Sequence, residues 1–421
     1  MKGLGTMRNA TLVLAAVLLV AAAPADAKID GVTGTTFDFV ADDTAHITAG
    51  DGVSLLLWGY SLAGDEPQYP GPTLIVNQGD RITVNLTNNL SVPTSMVFPG
   101  QTGVTSAGGD SDGLLAREAL PGNSVSYSFI VAEPGTYIYH SGTEPELQTE
   151  MGLVGAIIVR PVGFDPVTNK IAYNDPATAY DREHLFLMTE MDHRVHEKVE
   201  FGQMAAIDNT EWFPYYWFFN GRNSPDTMGA PFSDDLPHQP YNCQPRAHPG
   251  EVILIRVANA GRDMHPFHHH GNHSILIARD GRLVGTDPGS GPDLATQYFT
   301  IPSWPGSTYD ALWDPWTGQG LGWDVVPGET LPWEDPLYEG VPMPVELPAD
   351  SDLTFGQWYS GSPYLGTMGS IPPGNPGFNE YGGFAYMWHS HNEKELTNND
   401  VYPGGMFTMM IVEPPGAPIP E

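Results

Sequence analysis

PGTYIYH at Pro134–His140 and GGFAYMWH at Gly382–His389 are two copies of one phrase: a glycine-containing turn, a run of β-branched and aromatic residues, and a histidine at the far end. Each is followed by another glycine-containing turn and an apolar run, Gly155–Arg160 in the first case and Met406–Val412 in the second. β-Branched and aromatic side chains fit a pleated, half-buried surface, so all four runs read as strands. A phrase repeated at this length is the mark of a duplicated domain.

Outward from these phrases the same grammar continues. The 48 glycines and 40 prolines among 421 residues cut the chain into short apolar runs and leave no long helical period. Thr73–Val76, Arg81–Leu86, Ser124–Val131 and Thr136–Tyr139 read as strands of a first half. Leu185–Met188, Val252–Ala258, Ser274–Ala278, Tyr298–Ile301 and Ala385–His389 belong to a second. The spacing predicts antiparallel β-sandwiches. The division expected is a leader at 1–27, a first domain at 28–162, a linker at 163–183 and a second domain at 184–421. The second domain takes a long Trp-, Pro- and Gly-rich insertion at about 302–382, with Trp313, Trp316, Trp323 and Trp333.

Residues 1–27 read as a signal peptide: Lys2 and Arg8, an apolar core at Ala10–Ala23, and a small-residue cleavage site at Ala25-Asp26-Ala27. A periplasmic or extracellular location is therefore expected. No later stretch is apolar for long enough to span a bilayer. With 50 acidic against 17 basic residues, a net charge of −33, nucleic acid and anionic lipid are excluded as partners. That charge would suit cations or a basic redox protein. Cys243 is the single cysteine, so no intramolecular disulfide forms, and its Tyr241-Asn242-Cys243-Gln244-Pro245 setting reads as a free or interchain thiol.

Two histidine pairs carry chemistry. Side chains two apart on a strand project from one face, which puts His268 beside His270 and His389 beside His391. Adjacent strands presenting such pairs would surround one or two metal ions with imidazoles, a donor set suited to copper, zinc, iron or nickel. His269 alternates to the other face. His193 and His196, three apart, suit a helical turn or a loop.

The chain resembles the multicopper oxidases on several runs. PGPTLIVNQGD (Pro70–Asp80) with RITVNLTNNL after it is similar to the opening of that family's first domain. YHSGTEPELQTEMGLVGAIIV (Tyr139–Val159), HPFHHHGNHSILIARDG (His265–Gly281) and MWHSHNEKELTNNDVYPGGM (Met387–Met406) resemble its second, third and fourth histidine motifs, in the family's order. The resemblance implies an all-β chain of two cupredoxin-like Greek-key sandwich domains. It implies copper as cofactor, with zinc or iron as alternatives. His140, His268, His270, His389 and His391 match ligands of the family's trinuclear cluster, and His265 and Met406 match ligands of its blue copper. It also implies a homotrimer in which the cluster forms between one subunit's first domain and another's second.

Departures from the pattern are as informative. Met96-Val97-Phe98-Pro99-Gly100 stands where the first motif should place two histidines, Gly142 replaces a ligand in the second, Ser390 replaces the thiolate of the blue copper, and Glu395 replaces a histidine. A hydroxyl cannot take the place of a soft thiolate. The expectation is an exported copper-binding protein with a histidine site and no blue copper. The alternatives are an oxidoreductase acting on a small molecule or metal ion through a mono- or dinuclear centre, and a structural sandwich that forms assemblies.

Overall fold

The computed structural model describes residues 29–248, 250–271, 273–313, 364–365, 384–413 and 418–419. The expected signal peptide and most of the Trp-rich insertion lie outside the described residues.

Two pairs of sheets hold the described strands, apart from the small ladder of Ser111–Asp112 with Arg117–Glu118. In the first pair, Gly135–His140, Val154–Arg160, Leu74–Asn77 and Val32–Thr33 make a four-stranded sheet, which faces a five-stranded one built on Thr36–Thr48, Ser54–Leu62, Arg81–Asn88, Ser124–Ile130 and Thr105–Gly108. The two faces enclose an aromatic core that includes Phe39, Trp58, Tyr60, Tyr127 and Tyr139. In the second pair, a seven-stranded sheet centred on Arg182–Met191, Ile253–Asn259 and Thr308–Trp313 packs on a six-stranded sheet. The latter runs Arg246–Ala247, Phe407–Val412, Phe384–Ser390, His265–His269 and Thr300–Ser303, with Tyr364–Leu365 beside Phe384–Ser390. Its core includes Phe186, Phe267, Trp313 and Trp388. This is the cupredoxin-like all-β architecture that the sequence predicts.

Two expectations need correction. The sheets are mixed, because Val154–Arg160 runs parallel to Leu74–Asn77 and Arg182–Met191 runs parallel to Ile253–Asn259. Long return connections bring those strands back beside earlier ones in the same direction, which a tight hairpin cannot do. The Tyr298–Ile301 run is also two strands: Thr296–Tyr298 pairs with Ser274–Arg279 in one sheet, and Thr300–Ser303 pairs with His265–His269 in the other. The chain bends at the exposed Phe299 and changes sheets there, as strands do at sandwich corners.

A buried charge network crosses from one sandwich to the other. Arg160 pairs with Glu183, whose Oε2 also accepts from Arg256 Nε at 2.9 Å; Arg256 Nη1 lies 3.5 Å from Asp310, and Asp310 accepts from Thr136 Oγ1 at 2.6 Å. Burial opposes the charge on Glu183, but Arg160 and Arg256 outweigh it and hold its pKa at about 2, against 4.5 ordinarily. A carboxylate with a depressed folded pKa contributes stability above its unfolded value and loses it on acidification. Unfolding free energy should therefore fall between pH 4.5 and 2. Glu183→Gln should flatten that part of an acid-unfolding curve, and an unchanged curve would count against the network.

Candidate metal centre

The pairing of Phe384–Ser390 with His265–His269 sets His389 directly opposite His268. His270 follows at the end of its strand, anchored by its backbone N–H to the Met387 carbonyl at 3.1 Å, while its own carbonyl accepts from Trp388 Nε1 at 3.1 Å. One ring nitrogen from each of His268, His270 and His389 lies within 4.8 Å of the others. His270 Nε2 and His389 Nε2 face each other at 3.2 Å. His391 completes the expected pair on the solvent side: it is exposed, with its ring centroid 4.9 Å from that of His268, and its backbone N–H bonds the Pro266 carbonyl.

Hydrogen bonds aim these rings. His389 Nδ1 donates to the Ser390 carbonyl at 2.7 Å, which leaves Nε2 with its lone pair, and His268 Nδ1 meets the Thr300 hydroxyl at 2.8 Å. Such partners fix tautomer and orientation of metal-binding imidazoles. Burial, then the neighbouring His389, lowers the pKa of His268 to about 4 and of His270 to about 3, so both are neutral at physiological pH. Three neutral imidazoles, with no thiolate or carboxylate among them, fit copper or zinc by donor chemistry.

His140 is not part of this group. It closes the strand Gly135–His140 as His389 nearly closes its own, and its Nδ1 donates to the next carbonyl, that of Ser141, at 2.8 Å. Across from it stands Val97, joined to His140 in an isolated antiparallel bridge, where the second sandwich has His268. A cavity of about 540 Å³ opens there, lined by Met96, Val97, Phe98, Leu115 and His140 among others. At Gly142 a Cβ would meet the Val97 side chain at 2.7 Å and Ser95 Oγ at 3.0 Å, so the place of the missing ligand is filled by packing.

His265 and Met406, the two blue-copper matches, are both fully buried. Each nitrogen of His265 meets a carboxylate, Nε2 that of Glu190 at 2.9 Å and Nδ1 that of Glu395 at 2.8 Å. Met406 donates its backbone N–H to the Glu395 carbonyl. Sequence reasoning missed Glu190, whose signal was a carboxylate just after the apolar run Leu185–Met188 within the strand Arg182–Met191. Cys243 is a buried free thiol whose pKa burial raises further. His269 is buried with neither ring nitrogen hydrogen-bonded, and it packs edge-on to Phe267 and Trp388. His193 and His196 lie on the helix His193–Glu200.

Residues 61–163 match the family model described as multicopper oxidase. The chain is 30% identical over 243 residues to a probable nitrite reductase-hydroxylamine oxidoreductase fusion protein of Kuenenia stuttgartiensis, covering 56% of this chain and 24% of that protein. It is 29% identical over 236 residues to an L-ascorbate oxidase of Cucurbita pepo var. melopepo, covering 52% and 40%. The match thus spans well under half the length of these relatives. Among solved structures, the blue copper oxidase of Nitrosomonas europaea superposes with a TM-score of 0.56 at 18% identity, over 90% of this chain and 85% of that one. No helix among the described residues is long and apolar enough to cross a membrane. Residues 61–163 thus match a multicopper oxidase domain, and most of the chain shares the fold of solved multicopper oxidases.

Proposed function

We propose that this chain is an exported copper-binding protein that holds the metal through His268, His270 and His389, with His391 on the open side, and has no blue copper. The observation that carries this is the convergence of three imidazole nitrogens within 4.8 Å, produced by strand register. Copper is preferred to zinc or iron because relatives are named for it, among them a copper-containing nitrite reductase of Neisseria meningitidis, 33% identical over 128 residues. Bound copper would supply Lewis acidity and a one-electron couple. Thr300 and Ser390 orient the rings, and His391 leaves the solvent side accessible to a small ligand. His140 would meet such a cluster only across a contact between copies of the chain, in line with the trimer that the resemblance implies. Export rests on the apolar leader at Ala10–Ala23.

The test is copper analysis with absorption and electron paramagnetic resonance spectra of the purified chain. Bound copper with an ordinary, non-blue signal is expected. Failure to bind copper, or an intense thiolate-to-copper band, would refute the proposal. The exposure of His391 favours a second reading, an oxidoreductase taking electrons directly from a small reductant, a metal ion or a basic redox protein.

A further inference from the structure

The position matched to the blue copper is filled by charge. His265 is fully buried, and its two ring nitrogens point at carboxylate oxygens of Glu190 and Glu395 at 2.9 and 2.8 Å. An ionised carboxylate only accepts, so with both carboxyls ionised both nitrogens donate and the ring is an imidazolium. Burial works against that charge, but the two carboxylates prevail and raise the pKa to about 10. The other oxygens of the pair are occupied as well. Glu190 Oε1 accepts from the backbone N–H groups of Arg262 and Asp263. Glu395 Oε1 accepts from Asn392 Nδ2 at 2.9 Å, and its Oε2 accepts a second bond from Ser390 Oγ at 2.6 Å. The charged groups near His265 are Glu190 on the strand Arg182–Met191, Glu395 in the turn after His391, and Asp263 with Arg262 just before its own strand.

Filling a vacated metal pocket does not require ions. Apolar residues of similar volume often stabilise as well or better than a buried ion pair. The direction of this network gives it another meaning. It ends on Ser390, the residue between His389 and His391, whose side chain points away from the cluster while its carbonyl accepts the His389 Nδ1 proton. The same residue donates its N–H to the Met406 carbonyl at 3.0 Å. Ser390 is thus pinned from the core side while it aims a ring on the other.

We propose that His265, clamped between Glu190 and Glu395, is a cationic stand-in for the copper ion at this position, and that the network it forms positions Ser390 and through it the His389 ring. The inference rests on the reading that the histidine cluster binds copper. It makes His265, Glu395 and Ser390 positioning residues, and it makes the former electron-accepting site a fixed strut of the surviving centre.

Two measurements test it. In the metal-free full chain, ¹⁵N-histidine spectra should show His265 doubly protonated at pH 7, and a neutral ring there would overturn the stand-in role. In the copper-loaded chain, Ser390→Ala should weaken copper binding about tenfold, as loss of an orienting partner does, and change the copper hyperfine splitting. Ser390→Thr, which keeps the hydroxyl, should restore both. Wild-type affinity and spectrum in Ser390→Ala would overturn the positioning role and leave copper binding standing. Failure of the wild-type chain to bind copper would overturn the proposed function and the positioning role together.

Discussion

Replacing Arg256 with alanine is expected to lower the unfolding free energy by about 3–5 kcal/mol, the range for removing one partner of a buried charge pair. Arg256 has no exposure, and its guanidinium serves Glu183, Asp310 and the Thr136 hydroxyl together. Without it Asp310 keeps only hydroxyl donors, Thr136 and Tyr173, and Glu183 keeps Arg160 and loses its second cation. The carboxylates stay buried, so little solvent reaches them in compensation. Because Arg160 and Thr136 belong to the first sandwich and Glu183, Arg256 and Asp310 to the second, the loss should also loosen the contact between the two. Denaturant unfolding measures it: a loss under about 1 kcal/mol, the scale of an exposed ion pair, would show that the network contributes little. The partly exposed pair Arg117–Asp112 provides that lower reference.

The second large effect falls on the metal centre. Changing His268 and His389 together to alanine removes two of three converging donors, and copper affinity should drop by more than about 100-fold, beyond the range seen for losing an orienting partner. The variant should keep the wild-type fold, because its remaining strands and register do not depend on those rings. If the chain also oxidises small reductants, oxygen consumption should vanish with the copper. His46→Ala, at an exposed residue paired with Glu200, serves as the control and should change neither. Copper bound as tightly by the double variant as by the wild type would place the metal elsewhere.

Much of this was legible in the sequence because strand alternation is a local rule. It put His268 with His270 and His389 with His391 on common faces, and the repeated phrase ending in His140 and His389 announced two sandwiches. What escaped depends on distance or on interrupted alternation. Thr36–Thr48 does alternate buried and exposed residues, but the register shifts between Asp42 and Ala45, and the acidic residues there blur the pattern. The change of sheet at Phe299 leaves no mark in composition. The partners of His265 come from residues 75 and 130 positions away, so no spacing rule reaches them. The absence of histidines from the run Met96–Gly100 was readable, whereas the packing there, Val97 against Gly142, was not.

The twin bonds from His140 to the Ser141 carbonyl and from His389 to the Ser390 carbonyl bear on how such a sandwich can carry a metal. In both sandwiches the strand end that holds the histidine also orients it, through a backbone carbonyl. The mounting is common to the two, and what stands opposite it differs: Val97 in the first, His268 in the second. A socket of this kind does not depend on the lamp, so either strand end can carry a metal centre or go without one under the same fold.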